Sequence, residues 1–453
     1  MSTPSSPSTP VLGFVLAGGP LSGALVRDIR LANELADRGF PVHVWWAIDK
    51  QKNSGLRDSI PQHWLFHGAR YADLPLFGQF GKPVKEGFGK FLTAMFDDRK
   101  RIHVVQKRPD VVRSMACGMI RRVCMGVETD SPTIRRFADS LASAGVTHLL
   151  PMLEFLCPFI VAAQARMSSP PKFLMTFQGY ELYGNYGRLI NLERQLYSEF
   201  TKAFEKSSWN AVAVSEDYAD RVTEDVGIPR SRLTAIPPGI PTTVSITRER
   251  ARELVKQRLK NYDPALPLVS FFGRRDTEKG LDLLLYAANM LRRQGLRFQL
   301  AICGPTLFGT HYSVVCKQIA EDLRLPVLWS GQVSDELRSS ILMCSRCVAY
   351  PSIHREPFGM VPVEALAHGT PAIVPDYGGV ATVIHGNNRT GGMTFRSWDS
   401  GHLAEQIHKL LSEETLWKDL SDAGPVVAEY YSVQHLADRI LAHIGLERQL
   451  RPH

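Results

Sequence analysis

The chain is organised around the stretch HREPFGMVPVEALAHG, residues 354–369. The run before it, residues 347–350, is apolar and typical of a buried strand. Pro362 fits a helix only within the first turn, where a missing N–H costs nothing, and Gly359 lets the backbone approach a ligand closely. The stretch therefore predicts a strand, a loop and a helix that begins near Gly359.

The start of this helix is a candidate site for a phosphate group. The N–H groups of Gly359, Met360 and Val361 have no partner within a helix, and the positive end of the macrodipole attracts anions. Glu356 lies in the loop before the helix, and Glu364 lies one turn into it. Both carboxylates are therefore expected to accept hydrogen bonds from hydroxyl groups beside a bound diphosphate. A capped helix with two solvated acids is the alternative.

Seven residues separate the two glutamates, within Glu-Pro-Phe-Gly and the later Val-Glu-Ala-Leu-Ala-His-Gly-Thr-Pro-Ala-Ile-Val. This pattern resembles glycosyltransferase family four, whose members are retaining enzymes of the GT-B fold that use nucleotide sugars. The resemblance implies an α/β protein with two Rossmann-like domains that face each other across a cleft. It also implies that Glu356 contacts the transferred sugar, that Glu364 contacts the nucleotide ribose, and that Phe358 belongs to the donor-binding loop.

A second motif precedes this stretch. Residues 268–272 form a predicted strand, followed by Gly-Arg-Arg-Asp-Thr-Glu-Lys-Gly and a predicted helix over residues 281–293. Arg274 and Lys279 are expected to reach one diphosphate, the guanidinium as a fork and the ammonium as a compact charge. The spacing resembles the second motif of the same family. Together with Glu356, these two cations are the predicted catalytic residues.

The resemblance also indicates where the nucleobase binds. In family four, the base is contacted mainly by the backbone near the positions of Gln332 and Val333, which follow a predicted strand. Asp335 matches a position that contacts purines, which favours a guanine nucleotide. The expected donor is a UDP- or GDP-linked sugar.

The chain opens with a Rossmann-like pattern. Residues 11–16 form a predicted buried strand, and a turn containing Gly18 and Gly19 leads into a predicted helix over residues 22–38. The turn lacks the full dinucleotide fingerprint, so a tight connection is the alternative. The resemblance implies that Gly18 and Gly19 approach the donor phosphates.

Three polar residues are candidates for the acceptor or sugar side. Gln178 occupies a position where family four commonly has histidine, and glutamine cannot titrate near neutral pH, which removes the basis for a general base there. Glu154 and Glu181 are predicted at the ends of strands, where they are expected to reach the acceptor. Exposed loop acids are the alternative.

A chain of 453 residues is too long for one ordinary core. The predicted organisation is a disordered tail over 1–10, an acceptor-side Rossmann-like domain over 11–240 with a basic insert at about 70–136, a crossing segment over 241–264, a nucleotide-sugar domain over 265–429, and a C-terminal helix over 430–453 that returns to the first domain.

Composition favours a globular cytoplasmic protein, with 44% hydrophobic and 22% charged residues. Seven cysteines, an odd number without framework spacing, favour reduced thiols. Cys344 and Cys347 have no second pair for zinc, so buried core roles are expected for them. The longest apolar region, residues 146–165, is interrupted by Pro151, Glu154 and Pro158, so no transmembrane helix is predicted.

Most of the net charge of +8 lies in one segment. Residues 82–136 contain 13 basic and 6 acidic residues, which gives +7. Within this segment, apolar residues recur at helical spacing: Phe88, Phe91, Leu92, Met95 and Phe96. Two interpretations of this pattern are open. The helix packs on its own domain, or it contacts an anionic membrane surface or acceptor. No nucleic-acid motif accompanies the charge, so no nucleic-acid partner is predicted.

The resemblance implies that a sugar is transferred, with retention, from a nucleotide diphosphate to a hydroxyl of a glycan, a small glycoside or a lipid-linked acceptor. No cofactor and no essential metal are expected. Another GT-B enzyme, such as a nucleotide-sugar epimerase or a phosphorylase, is one alternative. A catalytically silent nucleotide-sugar-binding scaffold is the other.

Overall fold

The computed structural model describes residues 9–17, 23–47, 54–65, 109–306 and 310–447. The chain divides into two compact units: the first comprises Met1–Pro237 and Leu436–His453, and the second comprises Pro238–His435. The Gly18-Gly19 turn, the tail up to residue 8 and residues 66–108 of the basic insert lie outside the described residues.

Parallel strands form the sheets of the first unit. The strands described are β1 (Leu12–Leu16), β2 (Val42–Trp46), β3 (Gln62–Trp64), β4 (His148–Pro151), β5 (Lys172–Phe173), β6 (Thr176–Phe177), β7 (Ala211–Ala213) and β8 (Leu233–Ala235). One sheet has the order β3-β2-β1-β4-β5 and the other the order β6-β7-β8. Every residue of β1 is buried, as its apolar run predicts for a central parallel strand.

Helices connect these strands. They are α1 (Gly23–Asp37), α2 (Pro109–Cys124), α3 (Pro132–Ser143), α4 (Cys157–Gln164), α5 (Tyr180–Leu189), α6 (Glu193–Phe204) and α7 (Glu216–Val226). Ser215 caps α7, because its side chain accepts a hydrogen bond from the N–H of Tyr218.

The position of Glu181 differs from the one predicted, at the end of a strand. Residues 172–177 contain the short strands β5 and β6, and α5 begins at Tyr180. Glu181 therefore lies in the first turn of a helix, where an acid complements the macrodipole. The N–H of Tyr180 donates to the hydroxyl of Tyr218 at 3.1 Å, a contact between distant segments that local sequence does not indicate.

The second unit contains one six-stranded parallel sheet and a small hairpin. The strands are β9 (Leu268–Phe272), β10 (Gln299–Cys303), β11 (Val327–Gly331), β12 (Cys347–Ala349), β13 (Ala372–Pro375), the antiparallel pair β14 (His385–Gly386) and β15 (Arg389–Thr390), and β16 (Gly392–Phe395). The sheet order is β11-β10-β9-β12-β13-β16. The order reverses at β9, so the carboxyl ends of β9 and β12 form the topological switch point where such sheets bind ligands.

The helices of the second unit are α8 (Arg248–Arg258), α9 (Leu281–Arg293), α10 (His311–Asp322), α11 (Asp335–Cys344), α12 (Met360–Ala367), α13 (Ser400–Ser412), α14 (Glu414–Tyr430) and the start of α15 (Val433–His443). α8 lies within the segment expected to cross between domains, and its Val255 shares an apolar cluster with Leu268 and Phe272. α15 continues into the first unit.

The central strand β9 explains why helices cover both faces of this sheet. Val269 and Phe271 enter one apolar cluster, whereas Leu268 and Phe272 enter another. Successive side chains of a strand point to opposite faces, so an uninterrupted apolar run requires two buried faces. Cys347 belongs to the first cluster, which confirms its predicted core role.

Candidate functional site

Two segments meet at the switch point of the second unit. The chain leaves β9 through Gly273 and makes a short helical turn, Thr277–Lys279. It leaves β12 through Tyr350 and continues to Glu356. Lys279 and Glu356, 77 residues apart in sequence, are brought into direct contact there.

Lys279 and Glu356 form a buried ion pair. The Nζ of Lys279 contacts Oε1 of Glu356 and donates to the hydroxyl of Tyr350 at 3.3 Å. The hydroxyl of Ser352 donates to the same Oε1 at 2.8 Å. Both contacts to the carboxylate therefore use one of its two oxygens.

The charges of this pair support each other. Burial would raise the pKa of Glu356, but the attraction of Lys279 and the hydrogen bonds from Lys279 and Ser352 lower the pKa overall. Burial would likewise lower the pKa of Lys279, but the Glu356 carboxylate raises it overall. Both side chains are therefore charged near neutral pH.

The turn after β13 holds the backbone of Glu356. The N–H of Gly379 donates to the Glu356 carbonyl at 2.9 Å. Gly378 has φ +83°, and a Cβ there would lie 3.0 Å from the Glu356 N and O. Glycine is therefore required by both the conformation and the close approach. Three strand ends, those of β9, β12 and β13, thus fix the position of Glu356.

Arg274 lies in the same loop as Lys279. Its Nη1 is 3.2 Å from Asp276 Oδ2, and its Nη2 is 3.0 Å from Glu278 Oε2. Burial raises the pKa of Asp276, and the charge of Arg274 opposes that rise. The guanidinium is thus positioned by two acids of its own loop.

The helix α12 begins at Met360, which confirms the start predicted from Pro362. Gly359 precedes it with φ +90°, and a Cβ there would lie 2.6 Å from Cγ2 of Val380. Among the described residues, no side chain caps this helix end. The N–H groups of Gly359, Met360 and Val361 therefore stand at the start of a helix that is 8 residues long.

Glu364 is buried on α12 and forms an ion pair with Arg338 of α11. Arg338 is not among the site residues predicted from the sequence. An arginine in a helix is ordinarily a surface residue, and only the packing of α11 beside α12 brings it to the carboxylate. No local signal identifies this partner.

The predicted nucleobase residues occupy the loop between β11 and α11. Gln332 and Asp335 are exposed, and Val333 packs partly against the apolar cluster of α8. Asp335 is the first residue of α11. Phe358 is buried, with its ring 5.4 Å from that of Tyr431, so its side chain is part of the packing beneath α12.

In the first unit, Gln178 is held by two hydrogen bonds. Its Nε2 donates to Oδ2 of Asp28 at 2.9 Å and to the carbonyl of Met152 at 2.7 Å. Asp28 lies on α1 and also pairs with Arg27 at 2.5 Å. Burial raises the pKa of Asp28, although Arg27 and Gln178 oppose this.

Asp28 is not among the site residues predicted from the sequence, although the pattern of α1 contains a signal for it. Leu25, Ala32 and Leu35 lie on the buried face of α1, and Asp28 shares their helical spacing. A carboxylate on an apolar face needs a polar partner in the interior. That pattern indicates a buried hydrogen-bonding role.

Glu154 and Glu181 differ from their predicted settings. Glu154 lies in a short helical turn after β4 and is fully buried, so the alternative of an exposed loop acid is wrong for it. Burial, with a further contribution from Glu181, raises the pKa of Glu154 to about 8. Glu181 accepts a hydrogen bond from Tyr218 at 2.6 Å and pairs with Arg221 at 2.8 Å. These contacts hold Glu181 of α5 against α7.

Over residues 9–17, 23–47, 54–65, 109–306 and 310–447, no three His, Cys, Asp or Glu side chains are grouped so as to hold a metal ion. In the same ranges, no helix has the length and apolar character to cross a membrane.

The second unit contains a region that is similar to known glycosyl transferases. Residues 254–427 match the family model of Glycosyl transferases group 1, and this region contains Arg274, Lys279, Glu356 and Glu364. A D-inositol 3-phosphate glycosyltransferase from Rhodococcus erythropolis is 30% identical over 259 residues, which cover 55% of this chain and 54% of that protein. A mannosylfructose-phosphate synthase from Agrobacterium fabrum is 27% identical over 279 residues, or 60% and 56% of the two chains. The chain spans about half the length of these curated relatives.

Solved structures establish the fold. Sucrose-phosphate synthase from Thermosynechococcus elongatus matches with a TM-score of 0.67 and 16% identity, covering 97% of this chain and 99% of that one. The Anabaena protein HepE in complex with UDP matches with a TM-score of 0.67 and 15% identity, covering 96% and 99%. The α/β GT-B fold with two Rossmann-like units is thereby confirmed.

Proposed function

We propose that this chain is a retaining glycosyltransferase of family four, which moves a sugar from a nucleotide diphosphate to an acceptor hydroxyl. The observation that carries the proposal is the buried Lys279–Glu356 pair at the switch point of the second unit. It lies inside the region that matches group 1 glycosyl transferases. Relatives named as a glycosyltransferase and a sugar-phosphate synthase support the same reaction class.

In the proposed reaction, the bond between the anomeric carbon and the diphosphate oxygen breaks. A bond from the acceptor oxygen to that carbon forms on the same face, and the acceptor proton passes to the leaving diphosphate. Negative charge builds up on the diphosphate during this step. Arg274, Lys279 and the N–H groups at the start of α12 oppose that charge, and each such interaction contributes about 3–4 kcal/mol.

In this proposal, Lys279 and Glu356 have complementary tasks. An ammonium group has three N–H donors, and Lys279 directs them to Glu356, to Tyr350 and, in the proposal, to a diphosphate oxygen. Glu356 is held through Oε1, so its Oε2 is assigned to the sugar hydroxyls and to the oxocarbenium-like centre. Glu364 is assigned to the ribose.

The donor is proposed to be a UDP- or GDP-linked sugar. HepE was solved with UDP, whereas Asp335 favours a purine. The acceptor is a carbohydrate or a lipid-linked hydroxyl, and no metal is required in the proposed step. A cytoplasmic setting with peripheral contact to an anionic membrane surface completes the proposal, on the strength of the basic segment at residues 82–136.

A ligand screen followed by a transfer assay tests the proposal. UDP, GDP, ADP and their sugars are compared by thermal shift, because a ligand that binds the folded state raises its apparent stability. We expect one nucleotide to raise Tm and its sugar to be consumed only when an acceptor is present, with the anomeric configuration retained in the product by NMR.

Other outcomes would identify the alternatives. Conversion of the donor into a different nucleotide sugar without an acceptor indicates an epimerase. Cleavage that depends on inorganic phosphate indicates a phosphorylase. Binding of a nucleotide sugar with no turnover over the whole acceptor panel indicates a scaffold, and it contradicts the proposed reaction.

A further inference from the structure

Arg27, Asp28 and Gln178 form a continuous polar chain in the first unit. Asp28 is the bridge, because its Oδ1 pairs with Nη1 of Arg27 at 2.5 Å and its Oδ2 accepts from Nε2 of Gln178 at 2.9 Å. All three residues belong to this unit, so their contacts do not depend on the second one.

The orientation of the Gln178 amide is fixed. A backbone carbonyl only accepts hydrogen bonds, so the contact with the Met152 carbonyl at 2.7 Å requires the nitrogen on that side. Asp28 accepts the second N–H of the same nitrogen. Both N–H groups are therefore used, and the side-chain oxygen Oε1 is left to accept a hydrogen bond from a ligand hydroxyl.

Arg27 offers hydrogen-bond donors, whereas Gln178 offers an acceptor. Only 3% of the residue is exposed, and its Nε and Nη2 atoms have no hydrogen-bond partner in the part of the chain that the structure describes. These two nitrogens carry three of the five N–H groups of a guanidinium. Burying charged donors without acceptors is unfavourable, and Asp28 contacts this guanidinium only through Nη1, so Nε and Nη2 lack an acceptor among the described residues.

An anion with several oxygens would satisfy both nitrogens at once. The Nε and Nη2 edge of a guanidinium matches two oxygens of a phosphate group in a bidentate arrangement. The carboxylate of Asp28 separates this edge from Oε1 of Gln178. The chain of three residues is therefore complementary to a molecule that bears both a phosphate and a hydroxyl group.

We infer that Arg27, Asp28 and Gln178 form the acceptor subsite, and that the acceptor is a sugar or polyol carrying a phosphate group. Arg27 binds the phosphate, Gln178 accepts a hydrogen bond from an acceptor hydroxyl, and Asp28 is the positioning residue that orients both. This inference rests on the proposed function, because it specifies the acceptor class of that reaction.

The test measures binding of phosphorylated compounds and their unphosphorylated parents to the full chain. Fructose 6-phosphate is compared with fructose, and inositol 3-phosphate with inositol, by isothermal titration. Vesicles containing phosphatidylinositol form a separate arm, which distinguishes a lipid-borne phosphate from a soluble one. We expect at least one phosphorylated probe to bind the wild type ten-fold or more tightly than its parent.

Variants assign that preference to Arg27. Arg27→Gln is expected to remove the preference for phosphate and Arg27→Lys to reduce it, because a lysine supplies charge without the fork. Arg38→Gln is the matched control, since Arg38 lies about 16 Å further along the axis of α1 and is already paired with Glu34 and Asp438. This control is expected to keep the preference.

Two results overturn the inference. One is a wild-type protein that binds the unphosphorylated parents as tightly as the phosphorylated compounds. This result does not depend on whether Arg27→Gln folds. The other is a folded Arg27→Gln protein that keeps the preference. A donor nucleotide is titrated in parallel: if it binds and its sugar is transferred equally to unphosphorylated acceptors, the inference fails while the proposed function stands. Absence of any nucleotide binding counts against the proposed function instead.

Discussion

At the scale of single residues, Lys279 and Glu356 couple stability to the proposed chemistry. Each is the buried counter-charge of the other. Removing one partner of such a pair typically costs about 3–5 kcal/mol, because the remaining charge is left without compensation. Loss of activity in a single variant therefore has to be separated from loss of folding.

A double-mutant cycle makes that separation. Lys279→Met and Glu356→Gln are each expected to lower stability, and the double variant to be less destabilised than the sum of the two, since neither charge is left alone. Turnover is expected to fall at least 100-fold in all three proteins. Urea unfolding measures stability, and the transfer assay with the identified donor measures turnover.

A specific result contradicts this assignment. If a folded Glu356→Gln or Glu356→Ala protein keeps near-wild-type turnover with the right donor and acceptor, Glu356 does not have the proposed role. The pair is not expected to respond to pH near neutrality. Its stabilisation is lost only as pH falls through the lowered pKa of Glu356 or rises through the raised pKa of Lys279.

Glu154, in contrast to this pair, predicts that the stability of the protein depends on pH near neutrality. Its pKa is raised from an ordinary value of 4.5 to about 8 by burial, so the folded state retains a proton that the unfolded state releases. Between these pH values the wild type should lose stability relative to Glu154→Gln as pH rises, by up to about 1.4 kcal/mol per pH unit. Above pH 8 the difference should level off.

Urea unfolding of both proteins at pH 5, 6.5, 8 and 9 checks this dependence. Glu128→Gln, which neutralises an exposed glutamate, is the control and should parallel the wild type. A stability difference between wild type and Glu154→Gln that is flat from pH 5 to 8 would show that Glu154 ionises normally in the folded protein.

At the scale of elements, the start of α12 depends on one glycine. Gly359 has φ +90° and its hydrogen faces Cγ2 of Val380, so an added Cβ meets both an unfavourable conformation and a steric clash. The strand, loop and helix were all predictable here, because Pro362 and the apolar spacing act locally. The packing against Val380 was not, because it depends on the chain that follows β13.

Gly359→Ala is expected to lower nucleotide affinity at least ten-fold by displacing the first N–H groups of α12 from the proposed phosphate site. Gly295→Ala is the matched control, because Gly295 has a similar φ of +85° but no atom of the described part of the chain lies within 4 Å of the added Cβ. It should lose about 1–2 kcal/mol of stability from conformational strain and keep its nucleotide affinity. Isothermal titration with the identified nucleotide compares them, and equal affinities would remove α12 from the phosphate site.

At the scale of the whole molecule, two Rossmann-like units carry different polar sites. The second unit places cations and acids at its switch point, and the first unit places Arg27, Asp28 and Gln178 around the end of β4. Most of the net positive charge of the chain lies in neither of these two sites. Most of it belongs to residues 82–136, of which residues 82–108 lie outside the described part of the chain.

The basic segment predicts binding to anionic membranes. Wild-type protein is expected to sediment with vesicles containing phosphatidylserine and not with neutral vesicles, because cationic side chains are attracted to anionic headgroups. A Phe91→Asp, Phe96→Asp variant should lose this binding, whereas Val314→Asp, at an exposed valine of the second unit, should keep it. A wild type that ignores anionic vesicles would favour the alternative, a helix packed on its own domain.

The sequence alone determined the order of strands and helices around residues 347–369, the buried run of β9 and the resemblance that predicted the GT-B fold. The strands and helices follow from backbone preferences and from periodicity, which act over a few residues, whereas the fold was implied by the resemblance of the motifs to a known family. Only the tertiary structure joined Lys279 to Glu356, and Asp28 to Gln178 across 150 residues of sequence. The order of parallel strands decides which ends meet, and burial decides which charges need partners; neither quantity is contained in a local stretch of sequence.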